Sequence, residues 1–73
     1  NTAQNNYYWA ILKEFGKHCG YHPEEMHDVC KRHFHISSTS ELNVSEFSEY
    51  LDRLIQWAAE FEFPIQDPRR SQF

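Results

Sequence analysis

Apolar positions recur at steps of three and four along three stretches of this chain, separated by short polar breaks. The strongest pattern lies in VSEFSEYLDRLIQWAAEF, where Phe47, Tyr50, Leu51, Leu54, Ile55, Ala58 and Phe61 fall on one stripe of an α-helix. Asn43 is a good N-cap for it, and Glu46 three residues on completes a capping box. Leu42 and Phe47 have the spacing of a hydrophobic staple across that cap. In the first stretch, Tyr8, Ile11, Leu12, Phe15 and Cys19 share a face. Thr2 or Asn1 caps its start, and Gly20 suits a left-handed end. Gly16 within the pattern costs roughly 1 kcal/mol against Ala, which points to a close helix contact. The middle stretch opens at Pro23, where a helix needs no amide partner, and runs to Phe34 with Met26, Val29, Cys30 and Phe34 as its apolar stripe. Glu24 and Glu25 at its start and Lys31, Arg32 and His33 at its end complement the helix dipole.

The connections are brief. Tyr21 and His22 make the first turn. His35 to Leu42 is a polar connector with a Ser-Ser-Thr-Ser run, suited to a short extended or capping structure. Phe63, Pro64 and Ile65 are placed to fold back on the core. The pattern predicts an all-α protein: a small three-helix cluster with short connections, a helical domain over 1–66 and a mostly flexible C-terminal tail over 67–73.

Seventy-three residues allow one domain with a small core. Aromatics at 16% partly offset the size, because each buried ring removes a large apolar area from water. A second copy or a neighbouring domain would supply further burial. The net charge of −4 argues against non-specific nucleic-acid binding over the whole surface and leaves room for a local basic patch. Two cysteines are too few for a disulfide scaffold. With no signal peptide and no apolar run long enough for a membrane helix, the expectation is a cytoplasmic protein of a bacterial or host cell, not bound to a membrane.

Metal and enzymatic chemistry have little support. Cys19-Gly-Tyr-His22 and Cys30-Lys-Arg-His33 are two C-x-x-H pairs, and zinc takes four such ligands. Their separation is shorter than in common zinc motifs, and both cysteines fall on apolar stripes, where a free cysteine acts as a small hydrophobe. The histidines are read as surface residues. Cys30 with His27 or His33 has the elements of a nucleophile and base, but adjacent turns of one helix rarely hold attack geometry. With only Gly16 and Gly20, there is no phosphate-cradling loop. The expectation is a non-enzyme without metal or cofactor.

Binding chemistry is better represented. Gln4 and Asn5 stand beside Tyr7 and Trp9, with Lys13 and Lys17 one and two turns further on. Aromatics that stack on bases, amides that bond base edges and lysines that meet phosphates suit single-stranded DNA. Tyr8 is assigned to the core. Trp57 lies beside the main stripe of the third helix. With Phe61 and Phe63 it forms a candidate interface for a second copy or another protein.

These residues resemble the phage NinB (Orf) family of recombination proteins. The likeness rests on Gln4, Asn5 and Trp9 in TAQNNYYWAIL. It rests also on Ser38, Thr39, Ser40, Val44, Ser45, Glu46 and Phe47 in STSELNVSEF, and it extends over most of residues 2–66. The resemblance implies a recombination mediator that acts as a homodimer. Such a protein binds single-stranded DNA and helps load or exchange recombination proteins on strands coated by single-strand-binding protein. Family members carry a sheet-containing region ahead of the Q-N motif, so the resemblance implies that this chain is the helical portion of a longer protein. The competing reading is a dimerisation or protein-interaction module with no nucleic-acid role of its own.

Overall fold

The computed structural model describes residues 2–66. Three α-helices make the fold: α1 (Thr2–Cys19), α2 (Pro23–His33) and α3 (Val44–Glu60), with a 3₁₀ turn at Thr39–Glu41 between α2 and α3. The expected flexible tail over 67–73 lies outside the described residues. The all-α, three-helix architecture is as the periodicity predicts, and α2 ends at His33 with Phe34 as its C-cap.

The helix starts follow the chemistry read from the sequence. Asn43 Oδ1 accepts from the Glu46 backbone N–H at 2.8 Å, and Glu46 Oε1 accepts from the Asn43 N–H at 2.9 Å. This reciprocal box satisfies two amides that α3 itself leaves without partners. At the start of α2 the Glu25 carboxylate accepts from the His22 N–H at 2.9 Å.

All three helices end alike. At the end of α1, the Tyr21 N–H donates to Gly16 O and the Gly20 N–H to Lys17 O. Ile36 and His35 make the equivalent bonds to Lys31 O and Arg32 O, and Phe63 and Glu62 to Ala58 O and Ala59 O. Each is a Schellman arrangement with one residue in the left-handed region. Gly20 (φ 89°) fills that position after α1, but His35 (φ 58°) and Glu62 (φ 60°) fill it after α2 and α3. These two side chains carry a backbone cost that glycine would not.

Cross-helix contacts pair early residues of α1 with early residues of α3, and late with late. Gln4 Nε2 donates to Val44 O at 3.0 Å, Tyr8 meets Phe47 and Tyr50, Phe15 meets Trp57, and His18 Nε2 lies 2.9 Å from Phe61 O. α1 and α3 therefore run in the same direction, and α2 with its flanking turns is the crossover between them. α2 closes the core over both: Met26 lies against Gly16, and Phe34 packs edge-on against both Tyr50 and Trp57. The core holds Tyr8, Leu12, Phe15, Met26, Cys30, Leu51, Leu54 and Ala58 fully buried, with Ile11, Phe47 and Tyr50 nearly so. Each large apolar side chain so buried contributes about 1.5–3 kcal/mol. Gly16 is the close contact that its place in the pattern implied. A Cβ there would sit 2.9 Å from Tyr21 O and 3.2 Å from Met26 Cβ.

Two readings of the pattern need correction. Phe61, placed on the α3 stripe, follows the helix end and is 46% exposed, because the Schellman turn sends its side chain outward and brings Phe63 back. Phe63 then stacks on Phe15, with ring centroids 5.5 Å apart and planes at 19°. His27, read as a surface histidine, is half-buried beneath Trp9. No helix among the described residues is long and apolar enough to cross a membrane.

Candidate nucleic-acid interface

The six residues proposed for strand binding divide by their position around α1. Asn5, Trp9, Lys13 and Lys17 succeed one another at steps of four, which aligns them along one side of the helix. Asn5, Lys13 and Lys17 are exposed and Trp9 is half-buried. Gln4 and Tyr7 lie on the inward side: Gln4 ties α1 to the first turn of α3, and Tyr7 packs against the core. The structure thus brings four of the six together.

The two lysines are electrostatically available. Neither Lys13 nor Lys17 forms an ion pair with a described residue, whereas Lys31 pairs with Asp28 at 3.6 Å and Arg53 with Glu49 at 3.3 Å. Exposed carboxylates also lie close by, with Glu14 next to Lys13 on α1 and Glu24 and Glu25 in the first turn of α2, while Glu46, Glu49 and Glu60 are exposed on α3. The lysines border a depression of about 480 Å³ that continues over Gly20, Tyr21, His22 and Pro23. At the other end of the stripe, Asn5 borders a cleft of about 340 Å³ with Thr39 and Ser40. The Ser-Thr segment is therefore next to the start of α1.

Trp9 is less free than its sequence neighbourhood implies. Its ring is tilted over His27 at 4.8 Å between centroids and meets Tyr8 edge-on at 5.6 Å. Beneath it lies a polar chain, with Tyr8 Oη 2.7 Å from His27 Nδ1 and 2.9 Å from Tyr50 Oη. All three groups are satisfied when Tyr50 donates to Tyr8 and Tyr8 donates to Nδ1, with the ring proton on Nε2. Burial pushes the Tyr8 phenol well above its usual range. Tyr50 is pushed up to about 12, chiefly by burial. His27 is lowered, first by burial and then by Lys31, against the opposing pull of Asp28 and Glu24.

The candidate interface residues also divide. Trp57 is half-buried among Phe15, His33, Phe34 and Phe61, with His33 stacked on it at 4.0 Å and 15°. Phe63 is committed to Phe15 and His18. Phe61 remains at the surface, on the rim of a cleft of about 400 Å³ lined by Phe15, Met26, Val29 and Trp57.

Both cysteines are free thiols. Cys30 is fully buried, and burial followed by Cys19 pushes its thiol up to about 12; Cys19 is raised by burial. Among the described residues no group of three or more His, Cys, Asp or Glu side chains is arranged to hold a metal ion. His22 and His33 are drawn to different work, one at the start of α2 and the other on Trp57.

One exposed aromatic escaped the sequence reading. Tyr21, 44% exposed, stands beside Lys13 and Lys17 in the same depression. Its signal was its position between Gly20 and Pro23, where helix end and helix start hold it from both sides. Comparison of the chain with protein-family models, with curated proteins and with solved structures gives no match.

Proposed function

We propose that this chain is the helical portion of a phage-type DNA recombination protein, a recombination mediator that contacts single-stranded DNA along the outer side of α1. The observation that carries the reading is the line of Asn5, Trp9, Lys13 and Lys17, with both lysines free of ion pairs among the described residues and opening onto one depression. Lysines meet phosphates, while amide and aromatic groups address bases splayed from a single strand. The resemblance of the Q-N and S-T-S segments to the NinB (Orf) family supports the same reading. The protein partner is then a second copy, single-strand-binding protein or another recombination protein, and the setting is the cytoplasm of a bacterial host.

The test is binding of a labelled oligothymidine by the wild-type chain and by Lys13→Ala/Lys17→Ala. The reading predicts salt-sensitive binding to the single strand that the double variant weakens about tenfold. Equal binding by both proteins would remove the lysines from the account.

The exposure of Phe61 on the rim of an apolar cleft favours a second reading, a dimerisation or protein-interaction module with no strand contact of its own. It predicts a mass that rises with concentration in sedimentation, falls to the monomer in Trp57→Ala, and ignores oligonucleotide.

A further inference from the structure

The strand reading leaves open what a base rests on, since Trp9 presents one face to His27 and is only half-exposed. Tyr21 has the properties that Trp9 lacks. It is 44% exposed, and it shares its depression with Lys13 and Lys17. Its backbone is fixed twice: its N–H donates to Gly16 O at 2.7 Å, and the next residue but one is Pro23, the first residue of α2. Tyr21 also borders the apolar cleft with Phe15, Met26 and Trp57. An aromatic held by rigid backbone costs little further ordering when a ligand stacks on it.

We propose that Tyr21 is a base-stacking platform of the strand site, with Lys13 and Lys17 engaging the phosphates on either side of the stacked base. The occupant is an unpaired base of single-stranded DNA, argued from two lysines without an ion pair among the described residues that share one depression with an exposed Tyr21. This inference rests on the strand-binding reading and adds to it the surface that distinguishes a strand with bases from a bare phosphate backbone. A duplex, whose bases are already stacked, has no face to offer Tyr21.

The experiment is a titration of the 73-residue chain against two labelled oligomers of equal length, oligothymidine and an abasic deoxyribose-phosphate strand. The proteins are the wild type, Tyr21→Ala, Tyr21→Leu, Tyr21→Phe and Lys13→Ala/Lys17→Ala, each checked for helical content. The wild type and Tyr21→Phe should prefer oligothymidine about tenfold over the abasic strand. Tyr21→Ala and Tyr21→Leu should lose that preference while keeping the salt dependence of the wild type; Tyr21→Leu retains apolar bulk should the alanine variant fail to fold. The lysine variant should weaken binding to both strands alike. If Tyr21→Leu keeps the full preference while the lysine variant binds weakly, strand binding stands and the stacking role of Tyr21 is overturned. If the wild type binds neither strand, both fall.

Discussion

Around Tyr8, aromatic rings are tied by hydrogen bonds: Tyr50, Tyr8 and His27 form a chain closed over by Trp9 and Phe47. Around Trp57, the rings of Phe15, His33, Phe34 and Phe61 pack edge-on or stack, and the cluster opens onto a cleft. Phe34 touches both regions, meeting Tyr50 on one side and Trp57 on the other. The first region gains specificity from partners that must all be present, because a buried polar group left alone is costly. The second holds by area and shape, so its outer ring can be changed cheaply while its innermost ring cannot.

The largest effect should come from Phe15→Ala, which removes the fully buried ring against which Trp57, Phe61 and Phe63 rest. A loss of about 3–5 kcal/mol is expected in urea unfolding, a large share of the stability of so small a domain. Phe61→Ser in the same region should cost under about 1 kcal/mol. If the two losses were similar, the division between inner and outer rings would be wrong.

Tyr8→Phe leaves the rings in place and removes only the hydroxyl joining Tyr50 to His27. The expected loss is about 1–3 kcal/mol in the same assay, since two groups lose their partner. A change near zero would show that the polar chain adds nothing over packing.

The first region should also set the pH dependence of unfolding. His27 is lowered in the folded state, so as pH falls through about 6.5 the unfolded chain takes up a proton before the folded one does, and stability declines. On the alkaline side, Tyr50 and Cys30 are each pushed up to about 12. The unfolded chain therefore loses protons first, and stability declines as pH rises above about 9. Each group contributes a slope of up to about 1.4 kcal/mol per pH unit. His27→Ala should flatten the limb below about pH 6.5, readable by thermal unfolding across buffers. An unchanged limb would place the titrating group elsewhere.

The smallest effect is a gain. Glu62 occupies the left-handed position that turns the chain back so that Phe63 reaches Phe15. Glu62→Gly should raise stability by up to about 1 kcal/mol, seen as a higher unfolding midpoint. A loss there would mean that the Glu62 side chain contributes more than its backbone costs.

The helices were legible because their signals are local. The Asn43–Glu46 box, Pro23, Gly20 and the three apolar stripes are each readable within a few residues, and Gly16 announced a close contact by its cost. The ends of α2 and α3 were less legible, since His35 and Glu62 take a position that glycine usually marks. Partners across helices were not legible at all. Periodicity assigns a face but not what meets it, so His27 gave no sign of Tyr8, nor His33 of Trp57. The candidate strand site was half legible for the same reason. The step of four between Asn5, Trp9, Lys13 and Lys17 is in the sequence, but the inward place of Gln4 and Tyr7 depends on where α3 packs, and the exposure of Tyr21 on how two helix ends meet.

The most direct test of the proposed strand site is the salt dependence of oligothymidine binding by the wild-type chain, followed by fluorescence anisotropy, with duplex of the same length as control. Two lysine–phosphate contacts predict a single-strand affinity that falls with a log–log slope of about −1.4 and exceeds the duplex affinity at every salt concentration. Binding that ignores salt, favours the duplex or does not occur would contradict the assignment of the outer side of α1 as a single-strand site.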